Sequence, residues 1–411
     1  MTSCVAPPSP SGSVALAPSH AVANAIATAA SSIERITVII VRPASSPASG
    51  GCLSPPAHLS AKVPRVMQAL SSPAPPLGAL RDDGSVDPAH AGVLSDELGI
   101  ALYEHMVLAR AVDERLVALQ RDGAIASHAS AIGEEAAIVG AAAAMHDEDW
   151  IFPSSREFAA ALWRGMPLVA YAHHCFGTAR DPGRGRNAPD PPFWKPARVC
   201  SVSPLVGTQI PHAVGVAWAA SMKKADVASL VYFGDGATSS GDFHTGLNFA
   251  GVTRAPVVAL CRNDGWATST PASKQTASPG FAVKAVAYGL RGVRVDGADV
   301  IAVLGAVREA RARAAAGHGG TLIEAVMPRR EGEERPDPVV RTRQHLEARG
   351  LWDAAREQRL TAEVHADVER ALAEAAATAG PARATMFDDV YGELPWHLRD
   401  QREDGDPEPR R

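Results

Sequence analysis

The sequence predicts an α/β fold: a doubly wound, mainly parallel sheet flanked by helices. Three observations carry this. From about residue 199, short and continuously apolar runs alternate with helical stretches. Runs with no polar face suit strands covered by helices on both sides, the habit of parallel sheets. Two of the runs also end in an acidic residue beside glycine, "FGDG" (233–236) and "RNDG" (262–265), and the carboxyl ends of parallel strands are where such folds bind ligands.

Taken in order, the chain begins with residues 1–80, dense in Pro, Ser and Ala with Glu34 as the single acidic residue. Such a segment buries too little apolar surface to offset its chain entropy, so a disordered leader is expected there. The folded domain should span 90–400. Its first helix is "LSDELGIALYEHMVLARAVDERLVALQRDG" (94–123), in which Leu98, Leu102, Met106, Ala109, Val112, Leu116 and Leu119 recur at helical spacing. Ser95 can cap it, Asp96 and Glu97 suit the first turn, and Gly123 ends it. An Ala-rich helix follows at 133–145.

"ASLVYF" (228–233) reads as a buried strand, and 241–252 as a helix carrying Phe243, Leu247 and Phe249. "APVVALC" (255–261), "GVRVDG" (292–297) and "TLIEAV" (321–326) are further strands, with an amphipathic helix at 299–317 ending at Gly317. From 340 on the chain reads as helices, with His345 on a helix surface. The last stretch, 402–411, reads as a frayed tail. There are no internal repeats.

Composition narrows the function. The 411 residues allow ample core, and a formal charge of −5 gives no electrostatic reason to expect a nucleic-acid partner. No apolar run approaches the roughly 20 residues a membrane span needs. "ITVIIV" (36–41) follows a leader without positive charge before Arg35, which suits neither a secretory signal nor an Arg-rich mitochondrial leader. The five cysteines are scattered and never in a C-x-x-C pair, which fits a reducing compartment, and a cytoplasmic location is expected. The His173–His174 doublet reads as polar helix surface rather than a metal site.

The two acidic strand ends carry the chemistry. Gly-Asp-Gly alone is a common tight turn, because Gly tolerates positive φ and Asp bonds its own backbone. Asp235 and Asp264, however, end successive strands and would face one edge of a parallel sheet. Two carboxylates there suit a hard cation such as magnesium, which commonly shares its coordination sphere with phosphates. Arg262 beside Asp264 supplies a phosphate partner, and the helix starting near Gly241 supplies amide donors.

This spacing resembles the thiamine diphosphate motif. The stretch "GDGATSSGDFHTGLNFAGVTRAPVVALCRNDGWATSTP" resembles the α subunit of the decarboxylating component of 2-oxo acid dehydrogenase complexes. "DWIFPSSRE" (149–157), "SPLVGTQIPHAVGVA" (203–217), "RVDGADVIAV" (294–303) and "DDVYGELPWHLRDQ" (388–401) resemble the branched-chain (2-oxoisovalerate) type. The resemblance covers roughly residues 90–400.

By position, it implies that Asp235 and Asp264 bind magnesium through their side chains and Trp266 through its backbone carbonyl. Arg156 and Arg262 would hold the diphosphate, and Gly236 and Ala237 would approach it through backbone. Ser155, Val206 and Gly234 complete the implied cofactor contacts. Ser203, Thr208 and Gln209 match a monovalent-cation site, implying potassium. The implied reaction is oxidative decarboxylation of a 2-oxo acid, with the acyl group passed to a lipoyl arm on an acyltransferase core. The carboxylate that activates the cofactor lies on a separate β subunit in this family, so an α2β2 heterotetramer is implied and no catalytic residue is assigned to this chain.

Several positions depart from the family pattern. Asp264 stands where a second asparagine is usual, Trp266 and Ser155 stand where tyrosines are usual, and Ser127–His128 replaces Phe-Tyr. The loop after 326 is markedly shorter and lacks the family's histidine: no residue from Met327 to Gln344 is a histidine. A non-catalytic paralogue keeping fold and partner therefore stands beside the working subunit, as does a pyruvate- or acetoin-type enzyme. A generic dinucleotide-binding domain lacks any G-x-G-x-x-G after a strand.

Overall fold

The computed structural model describes residues 75–81, 83–187, 189–327, 337–388 and 391–403. The expected leader up to residue 74, the shortened loop at 328–336 and the tail from 404 lie outside the described residues.

Helix α1 (Asp96–Arg121) opens the main body, with the Ser95 side chain accepting from Leu98 N. Its stripe of Leu102, Met106, Val112 and Leu116 is buried, as helical spacing requires. The Ala-rich α2 (Glu135–Ala143), buried from Glu135 to Ala142, follows, then the short strand β1 (Trp150–Phe152), α3 (Phe158–Trp163) and α4 (Leu168–Phe176). Next come α5 (Gln209–Met222), β2 (Ser229–Gly234), α6 (Gly241–Thr253) and β3 (Val257–Asn263). A small antiparallel pair, β4 (Trp266–Ala267) and β5 (Thr270–Pro271), leads into the single turn α7 (Ala272–Gln275). The chain then runs through β6 (Arg291–Asp296), α8 (Val300–Ala315) and β7 (Thr321–Val326). It closes with α9 (Pro338–Ala348), α10 (Ala354–Ala376) and α11 (Trp396–Glu403).

The five longer-range strands pair in the order β1-β2-β3-β7-β6, and every pair is parallel. Side chains alternate between two cores. Leu230, Tyr232, Val258, Leu260 and Ile323 face one core with α1, α2 and α8. Val231, Phe233, Val257, Ala259 and Leu322 face the other with α5 and α6. A strand buried on both faces cannot show polar alternation, which is why these runs are continuously apolar. The deeply buried hydroxyl of Tyr232 in β2 is satisfied by donating to Ile138 O at 2.7 Å. The expected doubly wound α/β fold is the one observed.

Three expectations are corrected. Residues 77–80, counted in the leader, belong to the folded body. Leu77 bridges Val295 in parallel beside β6, and Ala79 N and Leu80 N both donate to Asp299 Oδ2 at 2.6 Å. Asp299 also caps α8, so one buried carboxylate fixes both segments, a link that no local pattern encodes. His173 and His174 are buried rather than surface residues. His174 Nδ1 lies 2.9 Å from Asp181 Oδ1, and His173 Nδ1 lies 2.9 Å from Thr178 Oγ1. His345 is buried too, its Nδ1 donating to Gly84 O at 2.8 Å. Local polar partners make a buried imidazole tolerable, and periodicity cannot report them. The helix expected at 241–252 is α6, on which Phe243 and Leu247 are buried and Phe249 is half exposed.

Candidate functional site

The register of β2 against β3 builds the site. Gly234 pairs with Arg262, so the residues that follow each strand emerge side by side at the carboxyl edge. Asp235 opens a 3-10 turn, Asp235–Ser239, and Asp264 begins the loop into β4. The end of β3 is pinned from β7: Asn263 Nδ2 donates to the fully buried Glu324 Oε1 at 2.7 Å. Glu324 Oε2 in turn accepts from Phe281 N and Ala282 N at 3.0 and 2.8 Å.

A cleft of about 570 Å³ opens at this edge, in the size range of small-molecule sites. Ser155, Arg156, Val206, Gly234, Asp235, Gly236, Ala237, Arg262, Asp264 and Trp266 all line it. Ser203 and Gln209 also reach it, but Thr208 does not line it. The Thr208 hydroxyl donates to Leu205 O at 2.9 Å, Ser203 Oγ accepts from Leu205 N at 3.2 Å, and Gln209 Nε2 donates to Tyr232 O at 2.9 Å. The three residues thus share one loop and helix start and brace the backbone there.

At two glycines a neighbouring segment lies too close for any side chain. A Cβ on Gly236 would meet Ala267 Cβ at 2.7 Å, so the β4–β5 hairpin lies directly against the turn carrying Asp235. Gly207, at φ 94°, could carry no side chain: a Cβ there would meet Ser240 Oγ at 2.3 Å. These glycines let the walls of the cleft close without a side chain between them.

Burial lifts the Asp235 carboxyl above its ordinary range, a hydrogen bond from Gln275 opposes this, and the nearby Asp264 carboxylate pushes it up further. Asp235 is 2% exposed. A cation seated against the two carboxylates would relieve that repulsion. Among the described residues no group of three or more His, Cys, Asp or Glu could hold a metal by itself. A cation here would need oxygens from its ligand, and that donor set fits a cation bound together with a phosphate.

The two arginines differ sharply. Arg156 is half-buried and donates to Ser130 O. Arg262 is 5% exposed and ion-paired with both Glu134 and Glu157, the latter at 2.5 Å, with Ser154 Oγ at 3.0 Å. Burial works against its charge, but Glu134 and Glu157 outweigh that and hold the guanidinium protonated. Arg262 therefore sits in the floor of the cleft with its charge already countered. Sequence reasoning gave neither glutamate a role, although Glu134 falls in the stretch read as the Ala-rich helix at 133–145 and Glu157 directly follows Arg156. It also missed Gln275, which no motif marks.

A sequence model of the dehydrogenase E1 component family matches residues 103–344. The chain is 39% identical over 327 residues to 2-oxoisovalerate dehydrogenase subunit alpha 2, mitochondrial, of Arabidopsis thaliana, covering 75% of this chain and 69% of that protein. It is 35% identical over 337 residues to the Homo sapiens 2-oxoisovalerate dehydrogenase subunit alpha, mitochondrial, covering 77% and 76%. With the Caenorhabditis elegans subunit alpha the identity is 36% over 347 residues, 79% of each chain. These relatives are named as mitochondrial, which overturns the expected cytoplasmic location. That expectation leaned on the scarcity of arginine in the leader and on scattered cysteines, and neither outweighs relatives of this similarity.

Proposed function

Because the chain belongs to the dehydrogenase E1 component family, we propose that it is the α subunit of a branched-chain, 2-oxoisovalerate-type 2-oxo acid dehydrogenase. It is an oxidoreductase subunit of a thiamine diphosphate-dependent enzyme, and the family works with a β subunit and a complex core. The observation that carries the reading is the shared cleft: the acidic ends of β2 and β3, Arg156 and the close-packed glycine turn converge there, in a chain with this level of identity to the relatives. Those relatives weigh against a non-catalytic paralogue and against a pyruvate- or acetoin-type enzyme.

Thiamine diphosphate, when bound, would supply a nucleophilic carbon and a cationic ring able to take up the electron pair released by decarboxylation. The residues of this chain would serve its diphosphate end. Asp235 and Asp264, with the Trp266 carbonyl, would hold magnesium. Arg156 would meet the diphosphate directly, with Ser155, Val206, Gly234, Gly236 and Ala237 around it. Arg262 would act from the floor of the cleft, orienting Glu134, Glu157 and Ser154. Ser203, Thr208 and Gln209 would brace the wall, with potassium as the candidate cation. The acyl group would leave on a lipoyl arm of the acyltransferase core.

An apolar outer face supports an obligate partner. Trp218 and Met222 on α5, Phe249 and Val252 on α6, and the nearby Val286 are all exposed, Met222 at 72% and Val252 at 77%. Helices α5 and α6 pack on each other, which groups these side chains on one side of the sheet. Large exposed apolar side chains grouped in this way mark an interface, and an α2β2 assembly with the β subunit would cover them.

The test is to co-produce the chain with its β-type partner and assay decarboxylation of several 2-oxo acids, with and without thiamine diphosphate and magnesium. Cofactor-dependent turnover that favours branched-chain acids is the expected result. A stable complex that binds cofactor yet turns over none of them would overturn the assignment.

A further inference from the structure

One amide ties the two halves of the cleft together. Gln275, the last residue of α7, donates through Nε2 to Asp235 Oδ2 at 2.8 Å and to Thr270 O at 3.1 Å. Both hydrogens of that amide are thereby used. One joins the turn after β2, and the other joins the β4–β5 hairpin that carries Trp266. The other end of the amide is poorly served: Gln275 Oε1 is sealed from solvent and has no hydrogen-bond partner among the described residues. A buried, unpaired acceptor lowers stability. An apolar side chain of similar length would avoid that cost, so the amide is accounted for by what it donates to.

We propose that Gln275 is a positioning residue for the cation carboxylate: it fixes the Asp235 side chain, and the hairpin beside it, in the arrangement that receives a divalent cation. This rests on the reading of the Asp235–Asp264 cleft as a cation–diphosphate site. Donors behind a ligating carboxylate set its orientation and typically change metal affinity by about 10- to 100-fold when removed. The hairpin needs such a tether. Its two-residue turn places Thr268, a β-branched residue, at φ 54°, a conformation such residues disfavour.

The experiment uses the full chain co-produced with its β-type partner and titrates manganese(II) by electron paramagnetic resonance at saturating thiamine diphosphate. Gln275→Met, which keeps length and removes both donors, should weaken manganese binding about tenfold, while the cofactor-free melting temperature changes little, because relief of the unpaired Oε1 and loss of the donors to Asp235 and Thr270 act in opposite directions. Gln275→Asn, polar but one methylene short, should show the same loss and stands in if the methionine variant does not fold. Asp235→Asn run alongside should abolish binding. Unchanged manganese affinity in the Gln275 variants, with Asp235→Asn still abolishing it, would overturn the positioning role and leave the cleft assignment standing. A wild-type protein that binds no manganese would overturn both.

Discussion

Asp235 and Asp264 line one cleft, and the charge of Asp264 adds to what burial already does in raising the Asp235 carboxyl pKa. An acid whose folded pKa is raised holds its proton more firmly folded than unfolded. The penalty is therefore fully present above the folded value and is relieved as pH falls through it toward the ordinary carboxylate range. Asp235→Asn removes the penalty at every pH. Without cofactor, this variant should melt level with or a few degrees above wild type near neutral pH, and the difference should shrink on acidification. Cofactor and magnesium binding should be lost. Melting curves across pH, read beside isothermal titration, check both halves, and a clear loss of apo stability at neutral pH would contradict the electrostatic account.

Asp264 tests the same field from the other side. It places a full negative charge near a bound diphosphate, where related sequences are expected to carry a neutral amide. Repulsion in a partly desolvated site is worth about 1–2 kcal/mol, so Asp264→Asn should tighten thiamine diphosphate binding about tenfold. Weaker binding in this variant would mean that the carboxylate serves the cation better than the amide does.

The arginines should separate stability from binding. Arg262→Met would leave Glu134 and Glu157 buried with their shared partner gone. Breaking a buried ion cluster from one side costs about 3–5 kcal/mol, and urea unfolding of the cofactor-free chain should show it. Arg156 is half-buried and, among the described residues, donates to one backbone carbonyl, that of Ser130. Arg156→Met should change stability by no more than about 0.5 kcal/mol while weakening cofactor binding strongly. Equal destabilisation by both substitutions would remove the distinction between floor and wall.

Much of this was legible in the sequence, for reasons that particular residues make plain. The strand at 321–326 and the helix at 241–252 were placed to within a residue, because continuous apolar runs and Gly punctuation are local signals. Asp235 and Asp264 could be paired because parallel strands put their ends on one edge. What escaped depends on distant partners. Asp299 gathers Ala79 and Leu80 from 220 and 219 residues away, Glu134 reaches Arg262 across 128, and Gln275 reaches Asp235 across 40. The buried histidines escaped likewise, since a polar residue inside a helix looks the same in sequence whether a partner or water satisfies it. Strand β1 escaped because three residues are too few to show a period.

The exposed side chains of α5 and α6 give the last test. Trp218 and Phe249 are 42% and 50% exposed, and neither lines the cleft that holds Asp235 and Asp264. If this face is where the β subunit docks, large aromatic side chains there should act as anchors, each worth about 2 kcal/mol or more on truncation. A charge is worse than truncation, because it must be desolvated against an apolar partner. Trp218→Glu and Phe249→Glu should therefore leave the fold of the isolated chain intact and prevent co-purification of the β-type partner. Size-exclusion chromatography with light scattering reads the assembly, and circular dichroism reads the fold. Variants that still form the complex with unchanged stoichiometry would place the partner on another surface.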